Sequence, residues 1–178
     1  MKTLILYLTR DGQTQKIAEK IASELQQEQT DVCILSLREN PNISADYLQQ
    51  FGTIVVGASI RYGHFDPLLT QFINQHYALL NQKKSAFFSV NLTARKADKN
   101  SPETNVYTRK LLARIKWQPD LVEVMAGALF YPRYRWFDRV MIRFIMKITG
   151  GETDTSREYE YTDWHKVITF SQQIRKLS

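Results

Sequence analysis

Leu4-Ile5-Leu6-Tyr7-Leu8-Thr9-Arg10-Asp11-Gly12-Gln13-Thr14 is the stretch that decides the fold. An apolar run of strand character passes through a turn of hydroxyls, one glycine and free amides. It then enters a segment in which Ile17, Ile21 and Leu25 recur at every fourth position, the spacing of one helix face. The N–H groups of a helix's first turn have no intrahelical partner, and the helix dipole places partial positive charge there, so a turn at that point can cradle an anion. Thr9 and Thr14 offer hydroxyl donors, and Gly12 lets the backbone pass close to the anion. Arg10, Asp11 and Gln13 complete the loop. An ordinary N-cap turn would use much the same residues, so the neighbouring segments have to choose between the two readings.

Two phosphate loops are excluded directly. The loop lacks both the Gly-Lys-Ser/Thr ending of a nucleoside-triphosphate loop and the G-x-G-x-x-G of a dinucleotide turn. A cradle of hydroxyls and amides with no obligatory lysine suits flavin mononucleotide (FMN).

Working outward, the elements alternate. Strands are expected at Thr3–Leu8, Asp31–Leu37, Thr53–Ala58, Ser85–Asn91 and Leu121–Leu129. Runs such as TIVVGA and AFFSV are near-continuously apolar, as in strands of a parallel sheet buried on both faces. Helices are expected at Gln13–Glu28, Asp66–Leu80, Pro102–Trp117 and Thr162–Leu177, with a short one near Ala45–Gln50. Ser101 before Pro102 reads as an N-cap and first helical position. This order predicts an α/β three-layer sandwich on a five-stranded parallel sheet, with residues 1–178 as one domain.

Ligands of such sheets bind beyond the carboxyl ends of the strands, at the switch point. The loops that meet there are Thr9–Thr14, Ser59–His64 and Asn91–Asn100. The second, Ser59-Ile60-Arg61-Tyr62-Gly63-His64, offers an aromatic ring to stack on a flat ligand and a glycine for close backbone approach. A polar turn whose Tyr62 caps the core is its other reading.

Composition bounds the function. The chain has 178 residues, 43% hydrophobic, with 7 Gly and 5 Pro, which describes a folded globule and not a disordered chain. The single cysteine, Cys33, reads as a small core residue and fits a reducing compartment. No secretory signal and no span of about 20 apolar residues is expected, so the protein is read as soluble or peripheral. Three scattered histidines and one cysteine do not make a metal-ligand set. His64 is the candidate for proton handling, while His76 and His165 read as incidental helix positions.

The net charge of +6 asks for an anionic partner. Between Phe130 and Gly150, five basic residues (Arg133, Arg135, Arg139, Arg143 and Lys147) face one acid, Asp138. Asp138 reads as the cap of a helix over Arg139–Ile148, with Arg139, Arg143 and Lys147 on one face and a broad apolar surface over the rest. Ten residues rise about 15 Å, too short for a hydrocarbon core of about 30 Å. A helix lying in the interface fits better, with Trp136 and Phe137 as anchors and an anionic lipid surface as partner. Self-association, or a core helix with snorkelling arginines, would also suit this pattern. Nucleic acid is disfavoured, because the basic residues border an apolar surface and not interleaved stacking aromatics.

With these loops in place the chain resembles the flavodoxin-like family. In the segments GASIRYGH (57–64), SVNLTARK (89–96), AGALFYPRYRWFDRVMIRFIMKITGGETDT (126–155) and YTDW (161–164) it resembles the menaquinone-dependent protoporphyrinogen IX dehydrogenases of bacterial haem synthesis. The resemblance implies a phosphate loop at Thr9–Thr14 and ring-contacting loops at Ser59, Ile60, Arg61, Tyr62, Gly63 and at Asn91, Leu92, Thr93, Ala94, Arg95. It implies an FMN-dependent, six-electron oxidation of protoporphyrinogen IX, with electrons passed to a membrane quinone, at the cytoplasmic face of the bacterial inner membrane. The basic-amphipathic insert at about 130–155 would face substrate or membrane, with Arg133 or Arg135 pairing the propionates.

Two departures from ordinary flavodoxins favour an enzyme. NLTARKADKN (91–100) has no aromatic, so one flavin face is expected to be open, and Arg61, Arg95 and Lys96 make the surroundings cationic. A flavodoxin-type electron carrier and an FMN-dependent NAD(P)H:quinone reductase are the rival functions.

Overall fold

The computed structural model describes residues 2–27 and 29–177. Strands β1 (Lys2–Leu8), β2 (Asp31–Ser36), β3 (Thr53–Arg61), β5 (Lys84–Asn91) and β6 (Leu121–Ala126) form a parallel sheet in the order β2-β1-β3-β5-β6. The chain steps from β1 outward to β2, then back across β1 to β3, which makes the carboxyl ends of β1 and β3 the switch point.

Alternation along β1 divides the core. Leu4, Leu6 and Leu8 face one side with Ile54, Val56, Leu69 and Phe72, beneath α2 (Ala45–Gln49), α3 (Pro67–Leu80) and α4 (Val106–Leu112). Ile5 and Tyr7 face the other with Ile17, Ile21, Val167 and Phe170, beneath α1 (Gln13–Gln27) and α6 (Trp164–Leu177). The last residue of the expected first helix, Glu28, lies outside the described residues.

Three expectations are corrected. The expected strand Leu121–Leu129 breaks at Gly127: β6 ends at Ala126, and β7 (Ala128–Phe130) turns away to pair antiparallel with β8 (Glu158–Glu160). The Gly127 N–H reaches Asn91 O at 3.2 Å and its carbonyl accepts from Tyr161 N–H at 3.0 Å, so the break is bonded on both sides. The helix expected over Pro102–Trp117 shortens to α4, because the side chain of Asn105, and not Ser101, accepts from Thr108 N–H and caps it. Ser101 instead closes a turn with Thr104.

The insert helix α5 spans Trp136–Thr149, a turn longer than expected. Asp138 sits in its first turn without capping it, and its carboxylate accepts the Tyr62 hydroxyl. α5 ends at Gly150 in the left-handed region, φ +71°, with Gly151 N–H bonded to Met146 O at 2.8 Å. His76 lies on α3, a helix as expected, buried against Phe72 and bonded to the Ile43 backbone, and burial lowers its pKa. Beyond β4 (His64–Phe65), which folds back antiparallel on the end of β3, the polypeptide enters α3 at Asp66, whose side chain accepts from Leu68 N–H at 3.0 Å.

Candidate flavin site and its roof

A cavity of about 530 Å³ opens at the carboxyl ends of β1, β3 and β5. All three expected loops reach it. Thr9, Arg10, Asp11, Gln13 and Thr14 come from the first, Ser59 through Gly63 from the second, and Asn91, Leu92, Thr93 and Arg95 from the third. Gly12 and Ala94 do not line it. Gly12 forms the turn itself at φ +95°, a conformation that side-chain-bearing residues rarely adopt, and its N–H donates to Thr9 Oγ1 at 2.9 Å. Ala94 packs below against Val124 and Ala126, and its N–H donates to Asn91 Oδ1 at 3.0 Å.

The first loop is built for an acceptor. Thr9 Oγ1 takes the Gly12 N–H as an acceptor, which leaves its own proton free to donate. The Thr14 hydroxyl is buried and has no partner among the described residues. At the third loop, Asn91 Oδ1 collects the Thr93 hydroxyl at 2.6 Å, the Ala94 N–H, and Asn105 Nδ2 at 3.1 Å, while its own Nδ2 is buried with no partner among the described residues. Burying donors without acceptors costs about 1–3 kcal/mol each, so two such donors in one cavity mark where a ligand's acceptors belong. A phosphate at Thr14 and a ring carbonyl at Asn91 would satisfy them, and FMN carries both.

Charge is arranged around Arg61. Its Nη1 donates to Asp11 Oδ2 at 2.7 Å, and its guanidinium lies 4.9 Å from the Tyr134 ring centre and 5.6 Å from that of Tyr62. Burial works to lower its pKa, but the Asp11 carboxylate and the Tyr134 hydroxyl outweigh it, and the cation is held charged. Arg95 is spent differently. It donates to Leu92 O at 2.8 Å and to Thr149 O and Oγ1 at 3.0 Å each, tying the third loop to the end of α5.

Sequence reasoning missed the roof. Met141, Ile142, Ile145, Met146 and Thr149 of α5 line the cavity, with Tyr107 and Tyr134 beside them. Aromatic rings therefore do reach the cavity, though none comes from the third loop. The periodicity of the insert was the available signal: an apolar surface too broad for one interface serves two. Ile142 and Met146 are buried with Leu129, Tyr131 and Tyr134 in a small core of their own. Burial pushes the Tyr131 hydroxyl up to about 12, and it donates to Glu152 O at 2.7 Å.

The seven insert residues singled out from sequence lie elsewhere, and none lines the cavity. Trp136 and Phe137 are exposed, at 76% and 64%, as are Arg135, Arg143 and Lys147. Arg133 is already held by Glu158 through Nε at 2.6 Å and Nη2 at 2.9 Å. Arg139 spends its guanidinium on the carbonyls of Tyr131 and Tyr134, both at 3.1 Å. His64 is exposed and lines only a second, smaller cavity beside the first. Among the described residues no group of side chains could hold a metal ion, and no helix is long and apolar enough to cross a membrane.

Residues 4–156 match the flavodoxin domain family. A relative from Escherichia coli K12, named protoporphyrinogen IX dehydrogenase [quinone], is 50% identical over 180 aligned positions, covering 100% of this chain and 97% of its own. A Leishmania major relative of the same name is 50% identical over 99% of this chain and 75% of its own length. Among solved structures, Flavodoxin 1 from Bacillus cereus superposes with a TM-score of 0.61 at 16% identity, covering 99% of this chain and 98% of that one. An archaeal flavodoxin gives 0.53 at 17% identity over 98% and 99%. These two likenesses concern the fold alone.

Proposed function

The chain belongs to the flavodoxin domain family, and from that premise we propose that it catalyses the FMN-dependent oxidation of protoporphyrinogen IX to protoporphyrin IX with a quinone as electron acceptor. The observation that carries this reading is 50% identity sustained along the whole chain, insert included, to relatives named for that reaction. Protoporphyrinogen loses six electrons and six protons in three two-electron steps, and three quinones become quinols. Bound FMN supplies the two-electron acceptor that quinone re-oxidises.

The chain's own part is to hold and to shelter. Thr9, Thr14 and the amides of the first turn take the phosphate, with the dipole of α1 behind them. Asn91 Nδ2 meets a ring acceptor, and the charged Arg61 favours negative charge on the ring system. The apolar residues of α5 exclude water from the reacting faces, and Met141 and Ile145, each more than a third exposed, keep one border open to an apolar reactant.

The acceptor is read as a membrane quinone, and the outward side of α5 supports this. Trp136, Phe137, Val140, Phe144 and Ile148 form an exposed apolar band, with Phe144 at 60% and Ile148 at 69%. Exposed bands of this kind mark interaction surfaces, and Arg143 and Lys147 beside it complement anionic headgroups. The occupant we assign is a bilayer carrying anionic lipid, with the protein peripheral on it. Arg143→Glu with Lys147→Glu should release the protein from phosphatidylglycerol vesicles. Unchanged binding overturns the lipid assignment, as does a concentration-dependent dimer of wild type that buries the same band.

Anaerobic turnover of the FMN-loaded protein with protoporphyrinogen IX and menadione tests the reaction. Porphyrin fluorescence should appear only when both flavin and quinone are present. Fast flavin reduction by NAD(P)H with none by protoporphyrinogen would move the chain to the quinone-reductase reading.

A further inference from the structure

Beside the flavin cavity lies a second one of about 390 Å³, lined by Leu8, Thr9, Arg10, Arg38, Ser59, Arg61, His64, Phe65, Asp66 and Pro67. Three guanidiniums and an imidazole share this small volume. Two of the guanidiniums are matched within the chain: Arg38 pairs with Asp66, and Arg61 pairs with Asp11. Arg10 is exposed and has no hydrogen bond or ion pair among the described residues, although it lies close enough to Tyr62 to act on its hydroxyl electrostatically. Arg61 Nε, between the two cavities, is buried and also unpartnered. The pocket therefore sets three guanidiniums against one lining carboxylate, Asp66, which Arg38 already holds, and Arg10 is the cation left over.

The two cavities share Thr9, Arg10, Ser59 and Arg61, so an anion held in the second can belong to a molecule that extends into the first. Donors for a cofactor phosphate are available without a guanidinium: the buried Thr14 hydroxyl has no partner among the described residues, and Thr9 keeps its proton free. The two arginines expected from sequence to receive the substrate's carboxylates lie off the cavity: Arg133 is held by Glu158, and Arg135 is on the outer surface. A planar guanidinium fork matches a carboxylate in two parallel hydrogen bonds, which an ammonium or a hydroxyl cannot.

We propose that the second cavity is the carboxylate subsite of the reaction's substrate and that Arg10 pairs with a propionate there. This rests on the proposed oxidation of protoporphyrinogen and adds to it how the tetrapyrrole is oriented. One acidic edge is fixed at Arg10, and the apolar macrocycle lies toward the open border at Tyr62, Met141 and Ile145, which are 41%, 36% and 38% exposed. Arg61 and His64 line the same subsite and add donors once the carboxylate is in place.

The test compares protoporphyrin IX with its dimethyl ester, which keeps the ring and loses both charges. Binding to the FMN-loaded protein is followed by porphyrin absorbance, and FMN affinity is measured separately on the apoprotein. Wild type should prefer the free acid. Arg10→Gln should lose that preference and raise KM for protoporphyrinogen roughly tenfold, the scale of one charge-assisted hydrogen-bonded contact, with FMN affinity held within about twofold. Arg10→Lys should recover part of the preference, since charge returns without the fork. The subsite is overturned if Arg10→Gln keeps the acid-over-ester preference, or if it weakens FMN by the same factor as the porphyrin, because Arg10 would then serve the phosphate. If wild type oxidises no protoporphyrinogen, the proposed reaction fails and the subsite with it. Normal turnover with an unchanged ester comparison in the variant fails the subsite alone.

Discussion

The two walls of the flavin cavity are made in opposite ways. The floor is three loops hung from the ends of β1, β3 and β5, strands packed on both faces by helices, and its donors point into the cavity because the strands end where they do. The roof is one helix, α5, resting on a core of five buried residues: Leu129, Tyr131, Tyr134, Ile142 and Met146. A floor supported by the whole sheet is preorganised for a small polar cofactor. A roof with a small core of its own, tied to the floor by the Arg95–Thr149 and Tyr62–Asp138 hydrogen bonds, is expected to open at a lower cost than the sheet beneath it. The difference separates holding the flavin from admitting what reacts with it.

The sharpest way to break this contrast is to empty the roof's core. Met146→Ala removes a side chain that is 1% exposed, and large-to-small changes at such sites cost about 2–5 kcal/mol. Hydrogen exchange should speed up across α5 and β7 while β1 and β3 keep their protection. If the sheet loses protection in step, floor and roof are one cooperative unit and the contrast is wrong.

Alkaline titration probes the same core. Tyr131 has its hydroxyl raised to about 12 by burial, with neighbouring tyrosines adding to it, against an ordinary value of 10.0. A pKa raised by folding contributes stability that is full below the unfolded value and is lost as pH climbs through the folded one. Tyr131 should therefore contribute a fall of about 2–3 kcal/mol in unfolding free energy between pH 10 and 12. Tyr131→Phe should flatten that fall in a denaturant series, at the cost of the hydrogen bond to Glu152.

The floor is tested by Thr14→Val, which keeps shape and removes the buried hydroxyl. FMN affinity should drop by about 1.5–3 kcal/mol, the worth of a hydrogen bond to a charged group, with α5 protection unchanged in the apoprotein. Quenching of FMN fluorescence on titration into apoprotein reads this directly.

The smallest effect is expected where floor meets roof. Tyr62 has a φ of +51°, an uncommon conformation for a residue with a side chain, and its hydroxyl donates to Asp138 on α5. Tyr62→Phe should cost about 0.5–1.5 kcal/mol. That cost should appear as faster local opening of the first turn of α5 and not as weaker FMN binding. Weaker FMN binding with unaltered opening would place Tyr62 wholly on the floor.

Residues at the floor were readable because their chemistry is local. Thr9 through Thr14 sit between a strand and a helix adjacent in sequence, and glycine at Gly12 reports a backbone need that survives any packing. Tyr62 and Arg61 were readable as loop residues, but not the Asp11 and Asp138 partners that orient them across 50 and 76 positions. The insert was legible as amphipathic and basic, and its place over the cavity was not. A helical pattern states how many faces are apolar, but not which face meets protein, ligand or lipid.

The sequence by itself therefore determined the alternating α/β order, the strand-to-helix turn at Gly12 and the three loops that meet at the switch point, because strand and helix periodicities and turn chemistry act over a few residues. Only the tertiary structure decided that α5 roofs the cavity, that Arg133 and Arg139 are already occupied, and that Arg10, lining a second cavity, has no hydrogen-bond or ion-pair partner among the described residues. The physical reason is that a side chain's charge is fixed by its type, while its freedom to meet a ligand depends on whether a distant residue has been folded against it.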